Sequence, residues 1–251
     1  MNPYETYKLV AEYLLFHYGE PREVLPWDFG PASALNYAVR SVTECVDLAA
    51  LPQNARALDL GCAVGRSTFE LARHCAKVIG IDYSHRFIEV AAALANFGRI
   101  PYERTDEGAF TTKLVARVPT DIARERVSFE RGDAEVLRAS LGSFDVVFAA
   151  NLIDRIEKPM RFLVRCKELV MSGGQLVITS PYTWLEDFTL RENWIGGFEA
   201  GGVRRTTLDG LTAALSAHFD LVCTKDLPFL IREHARKFQW SVAQASIWRR
   251  R

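Results

Sequence analysis

The sequence predicts an α/β protein built on a doubly wound, mainly parallel sheet of seven strands, with one strand antiparallel. Short apolar segments alternate with helical ones, which favours right-handed crossovers and helices on both faces of the sheet. Residues 143–150 are apolar on both faces, as is typical of a central parallel strand. The last pair of strands, 219–225 and 239–248, is joined without room for a helix, so one antiparallel strand is expected near the edge.

The remaining elements follow from local signals along the chain. Ser84 is a typical N-cap residue for the second helix, and Gly98 is typical of its end. Pro159 suits the first turn of the third helix, and Thr207 opens the fourth. The strands predicted before the final pair cover residues 55–60, 77–81, 127–131, 143–150 and 175–179. The first, third and fourth helices are predicted at residues 67–75, 159–170 and 207–218.

The chain is expected to form one domain over residues 1–251, because no linker or repeat divides it. Two insertions, 99–126 and 181–205, interrupt a core at 51–251, and residues 1–50 are dense in aromatic side chains. Doubly wound folds bind ligands at the carboxyl ends of their strands. We therefore expect residues 1–50 and 181–205 to cover a substrate pocket.

Composition argues against several classes of partner. Lys and Arg together number 31, as do Asp and Glu, so no net charge attracts nucleic acid. No apolar run approaches the ~18 residues of a membrane span, and no signal peptide is visible, so a cytoplasmic protein is expected. The five cysteines form no Cys-x-x-Cys pair and the histidines lack ligand spacing. No metal is therefore expected.

A glycine turn follows the first strand, where Asp59-Leu60-Gly61-Cys62-Ala63-Val64-Gly65 leads into a helix. Glycines at such a turn let the backbone approach a nucleotide and direct helix amides toward it. Taken alone, the turn could also be merely a tight connection.

Polar residues end three further strands and so share one edge of the predicted sheet. Asp82 lies about 20 residues beyond the glycines, where a carboxylate accepts hydrogen bonds from ribose hydroxyls. Asp133 follows the third strand, and Asn151 follows the fourth. Each could instead be a plain helix cap.

Together these motifs resemble the class I S-adenosylmethionine-dependent methyltransferases over residues 55–248. The motifs are Leu58 to Gly65, Ile81-Asp82, Gly132-Asp133-Ala134, Phe144-Asp145-Val146-Val147 and Gly173-Gly174. The resemblance implies a Rossmann-like fold, with S-adenosylmethionine as cofactor and S-adenosylhomocysteine as product. It implies a cofactor-binding set of Asp59, Gly61, Cys62, Ala63, Gly65, Asp82, Tyr83, Asp133, Ala134 and Asn151. Arg66 after the second glycine departs from the pattern.

A narrower resemblance covers almost the whole chain. The segments Tyr4-Glu5-Thr6-Tyr7, Tyr13 to Gly19, Ala149 to Arg155 and Trp240 to Ala245 resemble the methyltransferase domain of ovothiol biosynthesis. That domain, a 4-mercaptohistidine N1-methyltransferase, is often fused behind an iron-dependent sulfoxide synthase. The resemblance implies methylation of an imidazole nitrogen of 5-thiohistidine, with a separate or fused sulfoxide synthase as partner.

The acceptor site is predicted from side chains near the same edge. The catalytic candidates are Asn151, Asp154, Tyr182 and His17, and the substrate-binding candidates are Tyr13, Tyr37, Arg155 and Trp184. Each could serve only in packing or capping. An amino-acid acceptor also needs partners for its two charges. Arg155 or Arg40 could meet its carboxylate, and Glu186 or Asp28 its ammonium.

Three alternatives remain open. The protein could methylate another small aromatic or amine acceptor, or bind the donor without catalysis as a partner of the synthase. A nicotinamide-dependent oxidoreductase is disfavoured, because Gly61-x-x-x-Gly65 lacks the tighter Gly-x-Gly-x-x-Gly pattern. For the donor site, we expect Gly61→Val to abolish donor binding without unfolding the protein.

Overall fold

The computed structural model describes residues 3–251. Three helices precede the first strand: α1 (Tyr7–Tyr18), α2 (Pro21–Val24) and α3 (Tyr37–Thr43). The alternating core that follows comprises β1 (Arg56–Leu60), α4 (Arg66–Leu71), β2 (Lys77–Asp82), α5 (His85–Phe97), β3 (Arg99–Glu107), β4 (Phe110–Arg117), β5 (Val127–Arg131), β6 (Phe144–Ala150), α6 (Pro159–Leu169) and β7 (Val170–Ser180). The chain ends with β8 (Phe198–Ala200), β9 (Val203–Arg205), α7 (Thr207–Leu215), β10 (Phe219–His234) and β11 (Lys237–Arg250).

Seven strands form the main sheet in the order β10-β11-β7-β6-β1-β2-β5. Strands β5, β2, β1, β6 and β7 pair in parallel, whereas β11 is antiparallel to both β7 and β10. The predicted fold class is therefore confirmed, including its single antiparallel strand. The order reverses at β1, so the crevice where doubly wound folds bind ligands opens beside the glycine turn.

The cap residues predicted for the helix after the second core strand act as expected at α5. The Ser84 hydroxyl accepts a hydrogen bond from the Phe87 N–H at 3.2 Å, which satisfies one free donor of the first turn. Gly98 ends the helix in the left-handed conformation at φ 72°. These two residues fix where α5 begins and ends beside the strand edge.

Both insertions contain strands that the sequence pattern did not predict. Residues 99–126 form the antiparallel hairpin β3–β4, and residues 181–205 contain the short hairpin β8–β9. These strands lie outside the main sheet and bury few of their side chains completely, Tyr102 and Ala116 among them, so they lack a regular apolar pattern. The final strands are also longer than predicted, since β10 and β11 continue beyond the sheet to a turn near residue 235.

The N-terminal segment is anchored to the strand edge by hydrogen bonds far apart in sequence. The Tyr18 hydroxyl donates to the Val64 carbonyl at 2.8 Å, and the Ser84 hydroxyl donates to the Tyr4 carbonyl at 3.0 Å. The Glu5 carboxylate accepts from the His85 N–H at 2.9 Å. The segment therefore lies over the carboxyl ends of β1 and β2. None of the helices between residues 3 and 251 has the length and apolarity needed to cross a bilayer.

Close packing of α4 on the sheet depends on Gly80 in β2. A Cβ atom there would lie 2.7 Å from the Phe129 ring and 2.9 Å from the Thr68 hydroxyl. Gly80→Ala should therefore destabilise the fold by about 1–3 kcal/mol through overpacking, measured by urea unfolding. The double variant Gly80→Ala/Phe129→Leu should recover part of that loss. Wild-type stability in Gly80→Ala would contradict this packing.

Candidate functional site

A cavity of about 840 Å³ opens at the carboxyl ends of β1, β2, β5 and β6. Its walls come from these strand ends, from the N-terminal segment, from residues 181–188 and from the extended β10–β11 hairpin. The volume lies in the upper part of the range for small-molecule sites, about 300–1,000 Å³. A nucleotide and a small second ligand therefore have room together.

The glycine turn after β1 is built from backbone conformations that favour glycine. Gly61, Ala63 and Gly65 all have positive φ, at 70°, 47° and 85°. The N–H groups of Gly61 and Cys62 both donate to the Ile81 carbonyl, at 2.8 and 3.2 Å. Gly61 and Ala63 line the cavity, whereas Cys62 and Gly65 are among the predicted residues that do not.

Asp59 lies behind the turn rather than at the cavity wall. Its buried Oδ2 atom accepts hydrogen bonds from the hydroxyls of Ser67 and Thr68, both at 2.7 Å. Burial raises the pKa of Asp59 to about 6, against the opposing effect of these two hydroxyls. The carboxylate thus holds the first turn of α4 against β1, and its predicted contact with a cofactor stays a prediction.

Asp82, at the end of β2, joins two backbone turns. Its Oδ2 atom accepts from the Ala63 N–H at 2.9 Å, and its Oδ1 atom accepts from the Ser84 N–H at 2.8 Å. Each carboxylate oxygen can accept a further bond, and Asp82 lines the cavity. Burial raises its pKa to about 6, although the two backbone donors oppose the shift.

The residues after β5 form the far end of the cavity. Asp133 accepts the Glu135 N–H at 2.8 Å through Oδ1, and both Asp133 and Ala134 line the wall. Tyr83 stands at the rim with 59% of its surface exposed, and the Arg131 guanidinium lies 5.8 Å from its ring centroid. The predicted contact of Asp133 with an adenine base stays a prediction.

Asn151, after β6, is fixed in a left-handed conformation at φ 52°. Its Oδ1 atom accepts from the Tyr37 hydroxyl at 3.0 Å and from the Thr179 hydroxyl at 3.3 Å. These two bonds orient the amide group. They involve only its oxygen atom, so its two N–H donors take no part in them. Asn151 lines the cavity, and so does Gly61. The next residue after Asn151, Leu152, packs against Gly61, since a Cβ atom on Gly61 would lie 3.1 Å from the Leu152 side chain.

Asp154 and Arg155 form a buried ion pair in the same wall. The Arg155 Nη1 atom lies 3.0 Å from Asp154 Oδ2, which also accepts the Thr183 N–H at 2.8 Å. Arg155 stands over the Phe188 ring at 5.1 Å. Desolvation raises the pKa of Asp154, although Arg155 opposes that rise.

Aromatic side chains of α1 close the other side of the cavity. The Tyr13 ring lies 5.8 Å from the His17 ring and 4.8 Å from that of Phe87, measured between centroids. Burial and the nearby Arg66 charge lower the pKa of His17 to about 3, so its imidazole is neutral at physiological pH. Its Nδ1 atom is buried and has no hydrogen-bond partner among residues 3–251.

Several predicted residues lie outside the cavity lining, so their roles stay predictions. Tyr182 has φ 54° and its hydroxyl donates to Gln244 Oε1 at 3.0 Å. The Trp184 indole N–H donates to the Thr207 hydroxyl at 2.9 Å. The guanidinium of Arg40 bonds Glu44 at 2.7 Å, and Asp28 bonds Arg22 at 2.6 Å. Neither these four residues nor Glu186 lines the cavity.

Sequence reasoning missed lining residues that come from distant parts of the chain. They are Tyr4, Glu12, Phe16, Phe87, Phe188, Phe229, Gln239 and Ser241. The only signal was the density of aromatic residues in the first 50 positions, which does not say which faces point inward. Within the part of the chain that the structure describes, no group of three or more His, Cys, Asp or Glu side chains is arranged to hold a metal.

The cavity fits S-adenosylmethionine at this edge. Gly61 has no side chain to block the approach of a ligand to the turn, and Asp82 has free accepting positions for ribose hydroxyls. Seven Asp or Glu side chains and a single Arg line the wall, which suits a positively charged sulfonium.

Comparison with known proteins finds similarity to methyltransferases over about half of the chain. Residues 58–178 match the family described as "Methyltransferase domain". A ubiquinone biosynthesis O-methyltransferase of Cereibacter sphaeroides is 29% identical over 128 residues, which are 51% of this chain and 42% of that protein. The enzyme of the same name from Coxiella burnetii is 24% identical over 123 residues, 49% of this chain and 42% of that protein. The chain thus spans less than half the length of these relatives.

Among solved structures, the cyclase SpnF has a similar fold over nearly the whole chain. The TM-score is 0.59 with 16% sequence identity, covering 99% of this chain and 94% of that one. At this identity the likeness concerns the fold alone.

The expectation that Gly61→Val leaves the fold intact stays a prediction, and the conformation of Gly61 weighs against it. Gly61 has φ 70°, a conformation that β-branched residues rarely adopt, and an added Cβ would lie 3.1 Å from Leu152. A valine at this position therefore strains the turn itself, so loss of ligand binding there would not report on the ligand alone.

Asp82→Asn tests the ribose site at constant side-chain size; its amide places an N–H donor against one of the two backbone N–H groups that Asp82 accepts, so its unfolding temperature is compared with that of the wild type. We expect the Kd of S-adenosylhomocysteine to rise roughly 10- to 100-fold, since charge-assisted hydrogen bonds are lost. Wild-type affinity should also fall as pH drops below about 6, because protonation of Asp82 removes the charge that accepts those bonds. Calorimetry at about pH 5 and pH 7.5 measures both effects.

The matched control is Asp28→Asn, which removes the same charge from an exposed side chain outside the cavity. It should bind S-adenosylhomocysteine as the wild type does at both pH values. An unchanged Kd in Asp82→Asn, or the same pH dependence as the wild type, would refute the ribose assignment.

Proposed function

We propose that this protein, whose core is a class I S-adenosylmethionine-dependent methyltransferase domain, methylates an imidazole nitrogen of 5-thiohistidine to give ovothiol. The observation that carries the proposal is the lining of the cavity, where aromatic rings stand beside the polar side chains of His17, Asn151 and Asp154. Such a lining suits a small, flat, polar ring. The resemblance of the chain to the ovothiol methyltransferase domain supports the same acceptor.

Bound S-adenosylmethionine supplies an activated methyl group: a nitrogen–carbon bond forms as the carbon–sulfur bond breaks, and sulfur keeps the electron pair. The protein must align the acceptor nitrogen with that methyl carbon and exclude water. Asn151 can orient the ring through its amide N–H donors, because Tyr37 and Thr179 hold its carbonyl oxygen in place. The rings of Tyr13 and Phe16 can flank the acceptor plane.

The acceptor nitrogen must present a lone pair, so one ring proton has to be absent or removed. A neutral His17 with a pKa of about 3 is a weak base, but its unpartnered Nδ1 atom can hydrogen-bond the ring. The thiolate of the substrate can hold the displaced proton, which keeps the proton balance within the acceptor. His17 is therefore proposed to orient the acceptor, and a strong protein base is unnecessary.

An amino-acid acceptor also has a carboxylate, and Arg155 is the one Arg or Lys side chain among the residues that line the described cavity. Its Nη1 atom is used by Asp154 and Thr183, but the guanidinium has donors on Nε and Nη2 as well.

We further propose that the protein works in the cytoplasm and that a separate or fused sulfoxide synthase provides its substrate.

A second candidate is O-methylation of a small phenol. The two relatives named above are O-methyltransferases of ubiquinone biosynthesis, and the aromatic walls would also enclose a phenol ring. A role as a non-catalytic donor-binding partner of the synthase remains a third reading, distinguished by the absence of turnover.

The direct test incubates purified protein with methyl-labelled S-adenosylmethionine and, separately, 5-thiohistidine, histidine and a set of phenols. Mass spectrometry should show one labelled methyl group on the thiohistidine ring, and no product with Asp82→Asn at the same donor concentration. Methylation of phenols alone would contradict the proposal, and donor binding without any product would favour the non-catalytic role.

Removing the Tyr37 hydroxyl tests how Asn151 acts. Tyr37→Phe leaves Asn151 Oδ1 with Thr179 alone, so the amide should lose its fixed orientation. We expect kcat to fall roughly 10-fold while the KM for the donor stays unchanged. The control Tyr102→Phe removes a buried hydroxyl from β3, outside the cavity, and should keep wild-type kcat. Equal kcat in both variants would remove Asn151 from the mechanism.

A further inference from the structure

Asp154 carries a buried carboxylate oxygen with no partner. The residue has no exposed surface, and its Oδ2 atom accepts from Arg155 and the Thr183 N–H. Its Oδ1 atom has no hydrogen-bond partner within residues 3–251, yet Asp154 lines the cavity. Burying a carboxylate oxygen without a hydrogen-bond partner costs free energy. We therefore expect a hydrogen-bond donor of a bound ligand to pair with Oδ1.

The charges around the cavity indicate which kind of ligand group pairs with Asp154 Oδ1. Seven Asp or Glu side chains line the cavity, but only one Arg and no Lys do so, and His17 is neutral. The single Arg155 is already paired with Asp154 Oδ2. One sulfonium leaves this wall with excess negative charge, which favours a second positive group on the acceptor.

The position of Asp154 indicates which ligand carries that group. Asp154 lies three residues beyond Asn151, after β6, and its neighbour Arg155 interacts with Tyr4, whose ring lies 6.2 Å from that of Tyr13. Tyr13 in turn contacts His17. The two unpartnered polar atoms of the cavity, Asp154 Oδ1 and His17 Nδ1, thus belong to one connected wall formed by the N-terminal segment and the loop after β6.

We infer that Asp154 Oδ1 receives the ammonium group of the acceptor, so that the protein selects acceptors bearing a primary amine. This inference rests on the proposed function, in which the acceptor is a small amino acid. It assigns separate tasks to neighbouring residues: Asp154 fixes the amine, and Asn151 and His17 fix the ring. Asp154 is therefore a specificity-determining residue, and a charge-assisted hydrogen bond supplies the discrimination.

The test compares 5-thiohistidine with its des-amino analogue, which keeps the ring, thiol and carboxylate. Calorimetry with saturating S-adenosylhomocysteine measures acceptor binding without turnover. Wild-type protein should bind 5-thiohistidine roughly 10- to 100-fold more tightly than the analogue. Asp154→Asn keeps an acceptor oxygen for Thr183 but places an amide where Oδ1 lay, and should abolish that preference while leaving the Kd of the analogue nearly unchanged.

The control Glu192→Gln removes one negative charge from an exposed residue of segment 181–205, outside the cavity lining, and should keep the full preference. Equal affinity of the two ligands for wild-type protein would overturn the inference, whether or not Asp154→Asn folds. A higher Kd for S-adenosylhomocysteine in Asp154→Asn, with the acceptor preference intact, would mean that Asp154 binds the ammonium of the methyl donor. That result would also overturn the inference.

These outcomes are separate from those of the proposed function. If wild-type protein makes no methylated product but binds 5-thiohistidine through its amine, the methylation proposal fails and the amine site stands. If both 5-thiohistidine and the des-amino analogue bind equally and are methylated, the proposed function stands and the amine inference fails.

Discussion

The carboxylate of Asp82 holds together the parts of the protein that form the ligand site. One oxygen accepts the Ala63 N–H of the glycine turn, and the other accepts the Ser84 N–H at the start of α5. Ser84 in turn donates to the Tyr4 carbonyl. The end of β2 therefore connects the glycine turn, α5 and the N-terminal segment. A ribose bound at Asp82 would lie next to these three parts.

This arrangement explains why the aromatic N-terminal segment belongs to the site although it precedes the alternating core. The segment provides one wall of the cavity, including His17, whereas the strand ends provide the carboxylates and Asn151. Burial raises the pKa of Asp82 and Asp154, because desolvation disfavours their charged forms. Positively charged ligands offset that cost, which is the common basis of the proposed sulfonium donor and amine-bearing acceptor.

The sequence predicted those features that local physics marks. Strands β1 and β6 are apolar because helices cover both sheet faces, and Ser84 and Gly98 carry the signals of helix ends. The hairpin β3–β4 escaped prediction because few of its side chains, such as Tyr102 and Ala116, are fully buried. The cavity wall from α1 escaped for another reason: which face of a helix lines a site depends on tertiary docking. Tyr182 follows β7 as expected but is not among the lining residues, and its predicted role stays a prediction.

The central claim is that a sulfonium nucleotide lies across this strand edge, with Asp82 at its ribose and the aromatic chamber beyond its sulfur. A crystal structure of the complex with S-adenosylhomocysteine measures this most directly. We expect both ribose hydroxyls within hydrogen-bond distance of the Asp82 carboxylate, and the sulfur facing the space between Asn151 and Tyr13. A nucleotide bound elsewhere, or a ribose that makes no contact with Asp82, would contradict the account.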